Sequence, residues 1–322
     1  MILPRVRRTL RDRKLLPSGA YVLLGLSGGP DSGALLVALA RLADEFGFKL
    51  FGASVNHGLR EEAAAEVQVA QAQAARFGVS CAALSVKIAA SDSGLQAKAR
   101  AARYQVLWEE ARRVGAAHVA VGHTLDDQAE TVLMRQLRGS GLRGLSGIWP
   151  RRSDGVVRPL IDCPREDVHR FAFAHLPEVV QDPSNRRKEF ERVRVRAEIL
   201  PTLLAEDPRA REHLAHLADE ARGSIAWLDE AAAAQLRQLE QSPQVLDLSS
   251  LQEVAPPLLA ALFRCWLKSH CAIEPSRAHL TQLQDCLSGR GEVWLPGNWR
   301  VWVEGGQRLR LSRGFARNVP ES

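Results

Sequence analysis

The stretch Tyr21–Leu35, YVLLGLSGGPDSGAL, constrains the fold of this chain more than any other. Tyr21 to Leu26 are mostly apolar and read as a buried strand. Ser27, Gly28, Gly29, Pro30, Asp31 and Ser32 then turn the chain, and from Gly33 apolar residues recur at helical spacing. A glycine-rich turn from a strand into a helix N-terminus is an anion site, because unpaired backbone N–H groups and the helix dipole both favour negative charge. Glycines let the backbone approach a phosphate closely and adopt positive φ. The loop has no G-x-x-x-x-G-K-[ST] pattern and no lysine. An aspartate among phosphates makes sense if it holds Mg²⁺, which bridges carboxylate and phosphate oxygens.

The 322 residues suggest two domains. No apolar run approaches the roughly 20 residues of a membrane span. The basic N-terminus is followed by no apolar segment of a secretory signal, so a cytoplasmic protein with no membrane partner is expected. Cys81, Cys163, Cys265, Cys271 and Cys286 contain no C-x-x-C pair, which points to buried free thiols rather than a disulfide framework or four-cysteine metal site. The net charge of +6 permits an acidic partner such as RNA.

The first half alternates short apolar runs with amphipathic stretches. Strands are expected at Leu50–Val55, Cys81–Val86 and His118–Val121, and helices at Glu61–Phe77, Leu95–Val114 and Leu125–Leu137. Glu178–Val180 is read as a short fifth strand. This βαβα order implies an α/β fold, a doubly wound parallel five-stranded sheet, with ligands at the carboxyl ends of the strands. The polar segments fall at those ends. His57 follows the second strand. Arg100, Arg103 and Tyr104 share one helix, and His123 ends the fourth strand. Thr124 suits a helix cap, and Asp126, Asp127 and Glu130 follow at spacings that share one helical flank. Carboxylates gathered in this way suit Mg²⁺ or an amine substrate.

Arg135 to Leu145 mixes glycine with arginine and reads as a mobile basic loop or a linker. Asp182-Pro183-Ser184-Asn185 forms a turn before a run with six basic residues between Arg186 and Arg196. There Arg192, Arg194 and Arg196 alternate, so on a helix they fan out, either toward an irregular phosphate backbone or as a solvated face. Pro201 kinks or restarts that helix. From about Glu206 the chain becomes alanine- and leucine-rich. It ends in three short strands joined at Pro296-Gly297 and Gly305-Gly306, with Trp294, Trp299 and Trp302 expected in a core. The expected domains are therefore 1–205, catalytic, and 206–322, helical with a terminal β-meander.

Four segments in this order, SGGPDS, VNHGLR, GHTLDDQAET with RGSGLRGLSGI behind it, and DPSN before an arginine-rich helix, resemble the tRNA(Ile)-lysidine synthetases of the PP-loop, or N-type ATP pyrophosphatase, superfamily. The resemblance covers roughly Val22 to Leu204, with a weaker match beyond. It implies a ligase that uses ATP and Mg²⁺ to adenylate the wobble cytidine of a tRNA(Ile) with a CAU anticodon. L-lysine then displaces AMP, giving lysidine and changing decoding from AUG to AUA. It implies Ser27–Ser32 as the pyrophosphate cradle and Asp31 and Asp127 as metal-binding. Asp31, Arg103, Asp127 and Glu130 are implied as catalytic. His57, His123, Asp127, Glu130, Arg192, Arg194 and Arg196 are implied as substrate-binding, and the C-terminal part as the grip on tRNA. Val193 stands where the family usually has Asn, which puts one contact of that helix in doubt. A homodimer is left open. A tRNA thiolase of the same fold would need the cysteine pair this chain lacks, a small-molecule synthetase would have no use for the basic helix, and a non-catalytic RNA-binding protein would not keep SGGPDS intact.

Overall fold

The computed structural model describes residues 2–56, 63–86, 95–180 and 191–314. His57, the Asp182–Asn185 turn and the first half of the basic run lie outside the described residues. The chain divides into two compact units, Met1–Asp219 and Glu220–Ser322.

The first unit is built on a parallel sheet. Its strands are β1 (Tyr21–Gly25), β2 (Lys49–Asn56), β3 (Cys81–Ser85), β4 (His118–Ala120) and β5 (Val156–Val157), in the spatial order β3-β2-β1-β4-β5. Val22, Leu23 and Leu24 of β1 are completely buried, as a central strand covered on both faces requires. On one face lie α1 (Ile2–Asp12), α2 (Pro30–Phe46), α3 (Ala63–Ala75) and α7 (Arg165–His175), sharing a core with Leu24, Leu35 and Leu39. On the other, α4 (Leu95–Arg113) packs Leu107 and Ala111 on Leu23, Val119 and Val156. The polypeptide reverses strand order between β1 and β4, where crevices form in such sheets.

The fifth strand is not at Glu178–Val180. Val156 and Val157, wholly buried, pair with β4 instead. Two valines between Gly155 and Arg158 give no periodicity to read, whereas their burial and pairing fix them. The 178–180 stretch has no ladder; its Val180 N–H donates to the Gly28 carbonyl at 3.0 Å.

After β4 come α5 (Leu125–Leu137) and the short α6 (Leu142–Leu145). The basic loop is therefore partly helical. Arg135 Nη1 clamps it by donating to the carbonyls of Gly144 and Gly147, both at 2.9 Å. The arginine-rich helix starts as α8 (Glu191–Arg194) and passes through a π-turn at Val195–Ile199. It restarts at the proline as α9 (Leu200–Glu206). Pro201 has no N–H to continue the ladder, which accounts for the restart. Val195 and Leu200 bury against Ala129 and Leu133, so this segment docks on α5. The unit ends within α10 (Ala210–Leu239).

The second unit holds the remainder of α10, then β6 (Glu240–Ser242), β7 (Val245–Asp247) and α11 (Leu248–Gln252). These are followed by α12 (Pro256–Cys271), α13 (Arg277–Asp285), β8 (Glu292–Leu295), β9 (Trp299–Glu304) and β10 (Arg308–Arg313). The strands make an antiparallel sheet ordered β6-β7-β10-β9-β8. The C-terminal meander is as expected from its turns, whereas the β6–β7 hairpin adds two strands that the helical composition concealed. Val293, Leu295, Val301, Leu309 and Leu311 face a core with Phe263 and Trp266. Trp299 packs on that core. Trp294 and Trp302 do not: they alternate onto the other face, where the Arg300 guanidinium lies 5.7 and 5.2 Å from their rings.

Candidate active site

The first wall of the site is made mostly of backbone. At the end of β1, the Ser32 hydroxyl accepts the Ser27 N–H at 3.1 Å and lies within hydrogen-bond distance of the Gly29 carbonyl and the Ser27 hydroxyl, both at 3.1 Å. This knot holds the turn. Gly28 has φ +74°, and a Cβ there would lie 2.9 Å from Val180 Cγ2 and 3.1 Å from the Glu66 carbonyl. Conformation and space thus both demand glycine. Gln73 Nε2 braces the loop by donating to the carbonyls of Gly28 (3.0 Å) and Glu178 (2.8 Å). The helix cap, Gly29, brings no side-chain acceptor, and Pro30 follows at N1. The first-turn N–H groups therefore remain available to an anion. Asp31 stands in that turn, with Oδ1 3.1 Å from His169 Nε2.

The second wall is made of side chains. Thr124 caps α5, and Asp127 Oδ2 returns the bond by accepting from the Thr124 N–H at 2.7 Å and its hydroxyl at 2.9 Å. This is a capping box with aspartate in the third position. The other oxygen, Asp127 Oδ1, accepts from Arg165 Nη2 (2.8 Å) and Arg192 Nη2 (2.9 Å). Glu130, whose side chain is fully buried, accepts from Arg165 Nη1 at 2.8 Å and from Arg192 Nε at 2.9 Å. Two further bonds come from Arg196, at 2.8 and 3.0 Å. Asp126 turns away from this pair, accepting the Arg165 backbone N–H at 2.7 Å and pairing with Arg211 at 3.1 Å.

Burial alone would raise the Asp127 and Glu130 pKa values, but the surrounding guanidiniums outweigh it. Arg165 and Arg192 hold Asp127 well below the usual carboxylate range, and Arg196 and Arg165 lower Glu130 from its ordinary value. His123 ends β4 with its Nδ1 3.3 Å from Arg158 Nε. Burial, assisted by the positive charges of Arg158, Arg100 and Arg192, pushes its pKa down to about 3, so at neutral pH it is an uncharged ring. Arg103 is half-buried on α4, where desolvation and Arg100 lower its pKa.

The structure thus brings Ser27–Ser32 with Asp31 to the end of β1, and His123, Asp127 and Glu130 to the end of the adjacent β4. Arg192 and Arg196 reach the carboxylates, while Arg194 points outward and is exposed. Sequence reasoning missed Arg165 and His169. They are one helical turn apart on α7, and bond the carboxylate pair and the loop aspartate respectively. Pro164 announced that helix, but nothing local announced its partners 35 and 138 positions away. Among the described residues, no group of three or more His, Cys, Asp or Glu side chains is arranged to hold a metal. No helix among them is long and apolar enough to cross a membrane. All five cysteines are free, with Cys163 and Cys286 buried and the others partly so.

Residues 5–203 match the PP-loop domain family, and residues 246–315 match the TilS substrate binding domain. The chain is 35% identical over 312 residues to a tRNA(Ile)-lysidine synthase from Salinispora arenicola, spanning 94% of this chain and 93% of that protein. It is 38% identical over 321 residues to one from Methylobacterium nodulans, spanning 96% and 93%. Among solved structures it resembles the U34-tRNA thiolase NcsA from Methanococcus maripaludis with its 4Fe-4S cluster. There the TM-score is 0.59 at 19% identity, over 68% of this chain and 76% of that one, a likeness of fold alone. The sheet order, the SGGPDS loop and these matches over nearly the whole length agree: the chain belongs to the tRNA(Ile)-lysidine synthase family.

Proposed function

We propose that this protein ligates L-lysine to C2 of the wobble cytidine of tRNA(Ile) with a CAU anticodon, consuming ATP through an adenylated tRNA. The product, lysidine, pairs with A, so decoding changes from AUG to AUA. The observation that carries the reading is the pair of walls: a phosphate loop at β1 and two buried, ionised carboxylates at the neighbouring β4.

In this mechanism the loop from Ser27 to Ser32 receives the β- and γ-phosphates of ATP, which depart as pyrophosphate. Asp31 fits a Mg²⁺ ion bound with them. Its carboxylate is partly exposed, and one oxygen has no protein partner among the described residues, as suits a cation held by one carboxylate plus substrate phosphates. Such an ion, when bound, neutralises phosphate charge. Arg103 stabilises charge developing on the activated oxygen. A lysine ammonium group is held at Asp127 and Glu130 by exchange against Arg192, the most exposed of their three arginine partners at 39%. The attacking side-chain amine must be neutral, so it gives up its proton to a carboxylate or phosphate of the site. Neutral His123, fixed by Arg158, lines the substrate side.

The test is incorporation of labelled lysine into an unmodified tRNA(Ile) transcript with the CAU anticodon, in the presence of ATP and Mg²⁺. Label dependent on both ATP and the wobble cytidine, and absent from a wobble C→U transcript, is the expected result. ATP cleaved to AMP in the presence of tRNA without lysine incorporation would overturn the choice of nucleophile and keep the adenylation.

A further inference from the structure

A second charged cluster lies beside the carboxylate pair, and among the described residues its arginines meet far less acid. Tyr104 of α4 is flanked by the guanidiniums of Arg100 and Arg152, 5.2 and 5.1 Å from its ring centroid. Arg100 Nη2 also lies 3.4 Å from the Tyr104 hydroxyl. Arg158, only 3% exposed, donates to His123 and to the Trp149 carbonyl and faces Tyr104, Arg100 and Arg152. Among the described residues, the one carboxylate on this group is Asp154, which pairs with Arg152 at 2.5 Å. Arg100 and Arg158 have none.

Guanidinium groups do not deprotonate in proteins, so three of them around one phenol with a single described acid are an uncompensated charge. Burial and the neighbouring Arg100 and Arg152 lower the pKa of Arg158, the same imbalance expressed thermodynamically. Local arrangements that break the rule of paired buried charge are expected where a ligand completes them.

We propose that Arg100, Arg152 and Arg158, gathered around Tyr104, bind one backbone phosphate of the RNA beside the nucleotide being modified. The inference rests on the tRNA-modifying reading above. Position separates this phosphate from those of ATP. Arg158 directly follows β5, two strands from β1. At about 4.8 Å per strand this is roughly 10 Å from the phosphate loop. The α-phosphate of ATP, joined to the departing pyrophosphate through one bridging oxygen, stays beside β1. Trp149 adds an RNA feature: its carbonyl holds Arg158, while its residue surface is 41% exposed, offering a ring on which a neighbouring base can stack.

The experiment uses full-length protein carrying Arg100→Gln and Arg152→Gln together, both side chains that reach solvent. Binding of the unmodified CAU transcript is measured across a salt series, and ATP binding is measured without RNA. Affinity for the transcript should fall roughly tenfold, and the slope of log K against log salt should decrease by about one, while ATP affinity is retained. Transcripts with single methylphosphonates around the wobble position should identify one linkage whose neutralisation weakens the wild type and adds no further loss in the double variant. Unchanged RNA affinity and slope would overturn the site. A loss confined to ATP binding would assign the cluster to the nucleotide and overturn the RNA claim. Wild-type protein that shows these RNA effects but incorporates no lysine would overturn the functional reading and leave the phosphate site standing.

Discussion

The two walls of the candidate active site are made in opposite ways. The loop at β1 is built within six consecutive residues, holds its shape through hydroxyl and backbone bonds, and leaves Asp31 partly exposed. The wall at β4 is assembled from α5, α7 and the segment after residue 190, and its centre is a carboxylate with no solvent exposure. The first is a local structure whose chemistry waits for a ligand. The second is an ionic core of two carboxylates under three guanidiniums, whose carboxylate bonds are already made. It follows that damage to the first should cost chemistry without stability, whereas damage to the second should cost both.

The largest effect is expected from Asp31→Ala. It should lower tRNA-dependent ATP–pyrophosphate exchange by roughly 10³-fold or more, as loss of a group placed at developing or metal-borne charge does. The unfolding free energy should change by no more than about 0.5 kcal/mol, since the carboxylate is partly exposed. Exchange at the wild-type rate would remove Asp31 from the site.

Glu130→Gln tests the other side. An uncharged amide beneath the guanidiniums of Arg165, Arg192 and Arg196 raises the buried cationic excess from one charge to two, which should cost about 3–5 kcal/mol in urea unfolding. The pH dependence carries the same signature. Asp127 and Glu130 have folded pKa values below their unfolded ones, so their contribution is fully present above the unfolded values. It is lost as acidification protonates the unfolded chain first, below roughly pH 4. The variant should show a flatter acid limb than the wild type. Equal stability of variant and wild type at pH 7 would mean that the ionic core is not the structural unit described above.

This contrast also explains what could be read from the chain alone. The phosphate loop, the sheet and α5 with its cap are written in adjacent residues, and the periodicity of Val22–Leu24 and Leu35–Leu39 places them. The role of Arg165 is not, because its partners come close only after α7 packs beside α5. The spacing of Asp126, Asp127 and Glu130 suggested one flank, whereas the backbone N–H of Arg165 draws Asp126 aside. The alternation of Arg192, Arg194 and Arg196 suggested a fan. Burial of Val195 instead turns the first and third toward Glu130.

Gly28→Ala probes how far the loop depends on the backbone. Its φ of +74° is strained for alanine, and the new Cβ meets Val180 and the Glu66 carbonyl. The strain should cost about 1–3 kcal/mol. Because Gly28 also receives Val180 and Gln73, the shift should reach the phosphate site and weaken ATP binding by roughly tenfold. Calorimetric titration with ATP checks this; full affinity together with full stability would show that the loop accepts a side chain.

The smallest effect is a slope. Replacing Arg192, Arg194 and Arg196 together by alanine would decrease the salt dependence of tRNA binding by about three if each met a phosphate. The structure divides them. Arg192 and Arg196 spend their charge on Asp127 and Glu130, and Arg194 alone is exposed. Arg194→Ala should therefore reproduce most of the slope change of the triple variant, about one unit, without its loss of stability. A slope that needs all three replacements would show that Arg192 and Arg196 leave the carboxylates when RNA binds, and the bonded wall would then be the state of the free enzyme only.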